Sequence, residues 1–424
     1  MKYEEYKDSG VEWMGIVPSH WVVCKIKHKY QFKTGATPSS GKKEFYDGEL
    51  KWANISDING STIYDTAKHI TEEAVKSCSM TISPKGSLLY SFKLSVGQVA
   101  FCGDDMYTNE AIATFESKNQ NLRYLYYIAP QFIIHNANRN IYNAPLLNQD
   151  LIKNAIIVLP PIEEQNKIVT YLDKKCEEID RAIDTQKKKI ELLNELKQTI
   201  ITNAVTKGLN PDAPMKDSGA EWIGEIPQHW DMVKIKFNFN IYAGATPKTE
   251  VQNYWDGDIV WITPADYKTK DKYISCGQRY ISKDGYNSCN TQLVPKGSLI
   301  FSKRAPIGTV ALADTELCTN QGCLSCVPRK CSSLYYYYVT SVYTEIFDLF
   351  GSGATFKEIS ANDFANIKLP SPSYEEQLAI VSSIEKEVSK IDKQISKTNR
   401  HIELLNELKQ SIITEAVTGK IKVC

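Results

Sequence analysis

From Leu172 onward the chain places apolar residues alternately three and four positions apart, for about five heptads. With Leu172 at a heptad a position, the a sites are Leu172, Ile179, Gln186, Leu193 and Ile200, and the d sites are Cys176, Ile183, Ile190, Lys197 and Ala204. The same frame returns 212 residues later, with Ile384, Ile391, Thr398, Leu405 and Ile412 at a and Val388, Ile395, Ile402, Lys409 and Ala416 at d. This pattern predicts two long helices, each with a coiled-coil seam. Each helix follows an apolar run stopped by proline, NAIIVLPP or ANIKLPSP, since proline extends neither a ladder nor a helix. Each opens on Glu-Glu-Gln, at 163–165 and 375–377, and acidic residues suit the positive end of a helix dipole. Both seams turn polar at the same places, Gln186/Thr398 and Lys197/Lys409, where a polar residue fixes register and orientation at some cost in stability.

The stretches before the helices read differently. ISPKGSLLYSF and QLVPKGSLIFS join a Pro/Gly turn to an alternating strand. YLYYIAPQFI and LYYYYVTSVYTEIFDLF read as buried amphipathic helices. Each such stretch is a mixed domain of short strands and helices.

The chain is a tandem duplication. IELLNELKQTIITNAVTKG, from Ile190, and IELLNELKQSIITEAVTGK, from Ile402, agree at 15 of 19 positions. KDSGVEWMGIVPSHW (from Lys7) returns as KDSGAEWIGEIPQHW (from Lys216), and GATP stands at Gly35 and Gly244. YDGELKW matches WDGDIVW, PKGSLLYSFKLSVGQVA matches PKGSLIFSKRAPIGTVA, and TNEAI matches TNQGC. The copies diverge most over residues 40–80 and 120–150 of the first. Matching frames imply one mechanical job done twice, and unlike interiors imply two different targets. A seam this long needs a partner, and the chain supplies a near-copy of itself. The expected fold is α+β: two tandem mixed α/β domains, with the two helices pairing as an antiparallel coiled coil under pseudo-twofold symmetry. About 35–40 paired residues at 1.5 Å each would make a rod of roughly 55 Å. Two like readers related by a pseudo-dyad match the symmetry of duplex DNA.

Composition narrows the class. The 424 residues are 42% hydrophobic and 24% charged, which fits two to four globular domains. No run of eighteen apolar residues suggests a membrane span, and MKYEEYKDSG is not a secretory signal, so a cytoplasmic location is expected. Eleven irregularly spaced cysteines fit reduced thiols. The net charge of zero argues against a strong solitary DNA binder but allows a local basic face.

Catalytic patterns are weak. There is no GxGxxG loop and no NPPY or DPPY segment. GATPSSGKK is one residue too long for a phosphate loop, and its counterpart GATPKTEVQ lacks Gly-Lys. Asp47–Lys51 imitates a nuclease cluster, but Lys51 aligns with Val260 in the other copy. Cys318, Cys323, Cys326 and Cys331 have zinc-like spacing. Their counterparts Tyr107, Ile112, Phe115 and Gln120 favour a strand core instead, and no metal is expected. His20 and His229, each before a Trp, read as packing or capping residues of the lead-in segment.

The order of parts is a variable domain, a proline-ended strand and an EEQ-headed helix ending LKQxIITxAVT, all repeated. This order is similar to the specificity subunit of type I restriction–modification systems. PKGSLIFSKRAPIGTVA with TNQGC resembles that family's GDLLxSxxxxxG…NQG pattern. The resemblance covers nearly all of the chain. It implies target-recognition domains at 1–161 and 220–373, long helices at 162–208 and 374–420, and a linker at 209–219. It also implies a non-catalytic subunit that reads a bipartite asymmetric site in double-stranded DNA and docks two modification subunits and the restriction subunits. S-adenosylmethionine, ATP and Mg are then expected on those partners, with no cofactor in this chain. The rivals are a stand-alone nuclease or methyltransferase with duplicated readers, and a coiled-coil protein adaptor.

Base readout needs Arg or Lys for guanine and Asn or Gln for adenine. The framework candidates are Ser91, Lys93 and Asn109 in the first half and Ser302, Lys303, Arg304, Asn320 and Gln321 in the second. The divergent interiors add Lys42, Lys43, Lys51 and Arg139, then Lys248, Lys268, Lys270, Lys272 and Arg279. The helix-pairing candidates are Leu172, Ile179, Ile183, Ile190, Leu193 and Ile200 against Ile384, Ile391, Ile395, Ile402, Leu405 and Ile412. Tyr171, Leu196 and Leu408, off the seam, are candidates for docking the modification subunits.

Overall fold

The computed structural model describes residues 2–423 except 94, 118, 268–270, 305 and 353–356. The chain forms two compact units, residues 1–186 with 400–424, and residues 187–399. The long helices span Ile162–Lys207 and Tyr374–Val417. Each unit therefore holds the start of its own repeat's helix and the end of the other's.

In the first unit a five-stranded sheet comprises β1 (Gln31–Thr34), β2 (Thr62–Ile63), β3 (Leu88–Ser91), β4 (Val99–Cys102) and β5 (Ile112–Glu116). The spatial order is β1-β5-β3-β4-β2. Neighbours are antiparallel except β4 and β2, which run parallel. Alternation along β3 sets its two faces. Leu88 and Tyr90 enter the core beneath the helices, while Leu89 enters a second core with Ala53, Ile63 and Ile112. Because both faces are covered, the strand reads as an apolar run.

The second unit repeats the plan with β6 (Phe239–Ala243), β7 (Tyr273–Ile274), β8 (Leu299–Ser302), β9 (Val310–Ala313) and β10 (Cys323–Pro328). The order is β6-β10-β8-β9-β7, and Ile300 faces away from Leu299 and Phe301. Each unit also carries a three-stranded sheet. Leu50–Ala53 lies between His69–Ile70 and Tyr107–Thr108 in one, and Trp255–Ile262 between Arg279–Ile281 and Cys318–Thr319 in the other.

The tyrosine-rich segments form helices Leu122–Phe132 and Ser333–Val342, capped by the side chains of Asn121 and Ser332. The proline-ended strands Ile156–Leu159 and Lys368–Ser371 pair with the lead-in strands Val22–Lys25 and Asp231–Lys234, not with the main sheets.

The EEQ motif is a junction. Gln165 is buried, and its amide donates to Pro160 O (2.9 Å) and accepts from Asn121 N (3.2 Å). Gln377 does the same with Pro372 O (3.0 Å) and Ser332 N (2.8 Å). Glu164 accepts from Trp21 Nε1 at 3.2 Å and lies 2.9 Å from His20 Nε2. Glu376 meets Trp230 Nε1 and His229 Nε2, each at 3.0 Å. Both histidines thus tie the lead-in segment to a helix start.

The helix ends dock crosswise. In the first unit Ile413, Ala416 and Val417 join the core of Trp21 and Tyr124, and Tyr124 Oη donates to Val417 O at 3.4 Å. In the second, Ile201, Ala204 and Val205 join that of Trp230 and Tyr335, and Tyr335 Oη donates to Val205 O at 3.4 Å. Gly208 and Gly419 end the helices at φ +73° and +71°, in the left-handed region that favours glycine. A Cβ on Gly419 would lie 2.3 Å from Pro18 Cδ.

The two helices run antiparallel within each unit. Lys409 Nζ pairs with Asp180 at 2.6 Å in the first unit, and Lys197 Nζ with Asp392 at 2.7 Å in the second. Along the seam Leu172, Ile179, Ile183, Ile384 and Ile391 are buried, and Ile190, Leu193, Ile200, Ile395, Ile402, Leu405 and Ile412 are half-buried. Near each C-terminus burial passes from Ile200 to Ile201 and from Ile412 to Ile413. A 3.6-residue helix drifts against a 3.5-residue frame, and here the drift carries it off the seam into the globular core.

Candidate nucleic-acid interface

In each unit two loops and one strand end converge. In the first unit the GATP loop follows β1 and packs on the Thr108-Asn109 loop. Ala36 N donates to Thr108 O (3.0 Å) and Trp52 Nε1 to Ala36 O (3.1 Å). A Cβ on Gly35 would lie 1.7 Å from Thr108 O, so only glycine allows this approach. Asn109 Oδ1 accepts from Ala111 N (3.0 Å), and its Nδ2 donates to Asn54 Oδ1 (3.3 Å). In the second unit Ala245 N donates to Thr319 O and Trp261 Nε1 to Ala245 O, both at 3.0 Å. Asn320 Oδ1 accepts from Gly322 N at 2.8 Å.

The chemistry mounted on these platforms differs. Glu110 accepts from Thr37 and lies 3.6 Å from Lys93. Burial pushes the Glu110 carboxyl up, but these contacts outweigh it and hold the group below its ordinary value. The matching position is the uncharged Gln321, which accepts from Thr246. There Lys303 and Arg304 converge on Glu358 at 2.6 and 3.8 Å, beside Asn320 and Gly322. The second platform thus carries two cations sharing one acid, Glu358, with an uncharged Gln321 in the loop, and the first carries one cation facing Glu110 in the loop itself.

The exposed cations nearby lie against aromatic rings. Lys42 Nζ sits 4.7 Å from the Phe45 ring centroid, and Arg279 lies 3.5 Å over Trp255. Lys248 is exposed, and its carbonyl accepts from Trp255 Nε1. Lys43 is exposed on the same loop as Lys42. Sequence reading missed Lys68, which lies 5.8 Å over Tyr46. It sits across from Trp52 as Arg279 sits across from Trp261. The aligned Tyr46 and Trp255, with their ladders paired, would have revealed it.

Several candidates do not lie on these platform loops. Ser91 and Ser302 are fully buried and donate to Ser95 O (2.5 Å) and Arg304 O (2.9 Å), which brace the turns after β3 and β8. They reach no groove. Lys51 is held by Asp104 (2.7 Å) and Tyr64 O (2.8 Å). Lys272 binds Glu385 (2.5 Å) and Tyr338 Oη (3.1 Å), fastening the sheet edge to the second long helix. Arg139 is exposed on a separate hairpin. Lys268 and Lys270 lie outside the described residues. The four spaced cysteines enter three separate cores. Burial pushes Cys318, Cys323 and Cys331 up to about 12, against the thiolate that a metal needs. No helix among the described residues is long and apolar enough to cross a membrane.

Residues 18–195 and 227–406 each match the model of the type I restriction modification DNA specificity domain. The chain is 27% identical over 441 residues to the putative type I restriction enzyme MjaX specificity subunit of Methanocaldococcus jannaschii, spanning 100% of this chain and 98% of that one. To the MjaIX specificity subunit of the same organism it is 38% identical over 164 residues, which is 38% of each chain. In fold it resembles a chain solved in work on complex assembly and conformational transition of the type I R-M system. The TM-score is 0.73 at 17% identity, covering 96% of this chain and 99% of that one. The HsdS subunit of Thermoanaerobacter tengcongensis gives a TM-score of 0.54 at 18% identity, covering 96% and 98%. With the family model matched twice over most of its length, the chain belongs to the family of type I restriction–modification DNA specificity domains.

Proposed function

We propose that this chain is the sequence-reading subunit of a type I restriction–modification complex, and that each recognition domain reads one half of a bipartite, asymmetric DNA site. The observation that carries this is one platform built twice with unlike chemistry: Glu110 beside Lys93 in one unit, and in the other Gln321 at the matching place, with Asn320 and Gly322 beside Arg304, which shares Glu358 with Lys303. Donor and acceptor sets that differ select different base edges. Exposed Lys42, Lys43, Lys68, Lys248 and Arg279 then supply phosphate or base contacts around each platform.

The chain itself is non-catalytic, and S-adenosylmethionine, ATP and Mg belong to its partners. The repeated IELLNELK segment supports docking of two copies of one modification subunit. It leaves Leu404 and Leu408 exposed in the first unit, and Leu192 and Leu196 in the second. Like surfaces recruit like partners, and restriction subunits complete the assembly.

The test reconstitutes the chain with its modification subunit and maps methylation over a DNA library. Replacing residues 20–160 with another recognition domain changes one half of the methylated motif and leaves the other. Methylation or cleavage without any partner, or methylation without sequence selectivity, overturns the reading.

A further inference from the structure

The first recognition domain carries a hairpin that the platform does not use. Asn138–Arg139 pairs antiparallel with Pro145–Leu146, and the tip is Asn140-Ile141-Tyr142-Asn143. Ile141 is 90% and Tyr142 84% exposed, more than any other large apolar side chain among the described residues. The tip is ordered by its own bonds. Asn140 Oδ1 accepts from Tyr142 N and Ala144 N, both at 2.9 Å, and Arg139 Nη1 donates to Asn143 O at 3.0 Å. Two bare apolar side chains on a self-bonded ribbon point to a surface that covers them.

Charge and place indicate what that surface is. From Ser117 to Gln149 there is no Asp or Glu, in a chain with 50 acidic residues. The segment is therefore free of repulsion from phosphate. The hairpin's return strand leads to Gln149, whose Nε2 donates to Thr34 Oγ1 at 2.9 Å, next to the GATP loop. In the second unit the topologically matching segment is bonded to the platform itself. There Ser352 pairs with Glu358, Glu358 binds Lys303 and Arg304, and Ile359 N donates to Lys303 O at 3.1 Å. The Gln149–Thr34 contact in the first unit, and the contacts of Glu358 and Ile359 with Lys303 in the second, thus put the residues at or just before the start of each short helix beside the reading loops.

We propose that the hairpin Asn138–Leu146 is a base-reading element of the first recognition domain, which lays Ile141 and Tyr142 against base edges in the major groove of duplex DNA. A two-stranded ribbon fits the major groove, about 12 Å wide, and not the minor groove, about 6 Å. The apolar tip contacts thymine methyl groups, and Arg139 contacts guanine or phosphate. This inference rests on the proposed DNA-reading function.

The experiment uses the full-length chain reconstituted with its modification subunit, compared with an Ile141→Ser/Tyr142→Ser double variant. Because both side chains are exposed, the variant is expected to keep the wild-type melting temperature and assembly. Affinity for the methylated duplex is expected to fall about tenfold, with relaxed selectivity in one half-site only. A second arm places a photo-crosslinker at Tyr142 and is expected to label DNA. Unchanged affinity and motif in the variant, or crosslinking to protein alone, overturns the hairpin assignment. If the wild-type complex shows no bipartite selectivity, the underlying function fails instead, and the assignment falls with it.

Discussion

Gln165 and Gln377 show how much one buried amide can organise. Each is nearly inaccessible, and each satisfies a helix-capping residue's N–H and a proline carbonyl at once. Gln165→Ala removes both partners from a buried place, with an expected loss of about 1–3 kcal/mol in chemical denaturation. A change below about 0.5 kcal/mol would mean the junction does not hold as described. Glu385 offers a pH test. Burial pushes its carboxyl up, but hydrogen bonds from Lys272 and Tyr338 outweigh this and depress its value from 4.5. A depressed folded value stabilises the protein at pH above the unfolded value, and this contribution is lost as pH falls through the folded one. Glu385→Gln should therefore flatten the loss of stability below about pH 4.5, measured by thermal unfolding across that range. The residue types of the junction were legible in the sequence, since EEQ and His-Trp recur. Their pairing was not, because Trp21 and Glu164 are 143 positions apart and nothing local links them.

At the scale of elements, the long helices were the most legible feature, because their seam repeats over many turns. Lys197 and Lys409 stood out as polar seam residues, and their acidic partners did not. Asp180 and Asp392 occupy matching places in the two copies, so an antiparallel pairing satisfies both lysines, whereas a parallel one in register would set like charge against like. These pairs are part-exposed and screened, and each contributes about 0.2–1 kcal/mol. Lys197→Asp alone should lower the melting temperature, and adding Asp392→Lys should restore most of the loss, more clearly at low salt. Absence of such rescue would count against this register. The five-stranded sheets were only partly legible. β3 and β8 announce themselves as apolar runs, but β2 and β7 are two residues long and depend on parallel pairing with distant strands.

For the whole molecule, the proposed function makes helix length the determinant of the unread gap between half-sites. Inserting one heptad into both helices at matched positions adds about 10.5 Å of helix. The expected outcome, read by methylation mapping, is a motif with unchanged halves and a longer spacer. An insertion in one helix only should break the Lys–Asp register and lower the melting temperature. The net charge of zero predicts weak, salt-sensitive DNA binding by the lone chain, measured by titration between about 50 and 200 mM salt. The amino-acid order by itself determined the duplication, the seams, the proline stops and the family resemblance, because each is a local or periodic pattern. Tertiary structure alone decided that the tail of each helix packs into the other repeat's core, with Val417 against Tyr124 and Val205 against Tyr335. The reason is that the two tails are almost the same sequence. Either could fill either core, and the antiparallel pairing, closed by distant charges, brings each one to the other repeat's domain.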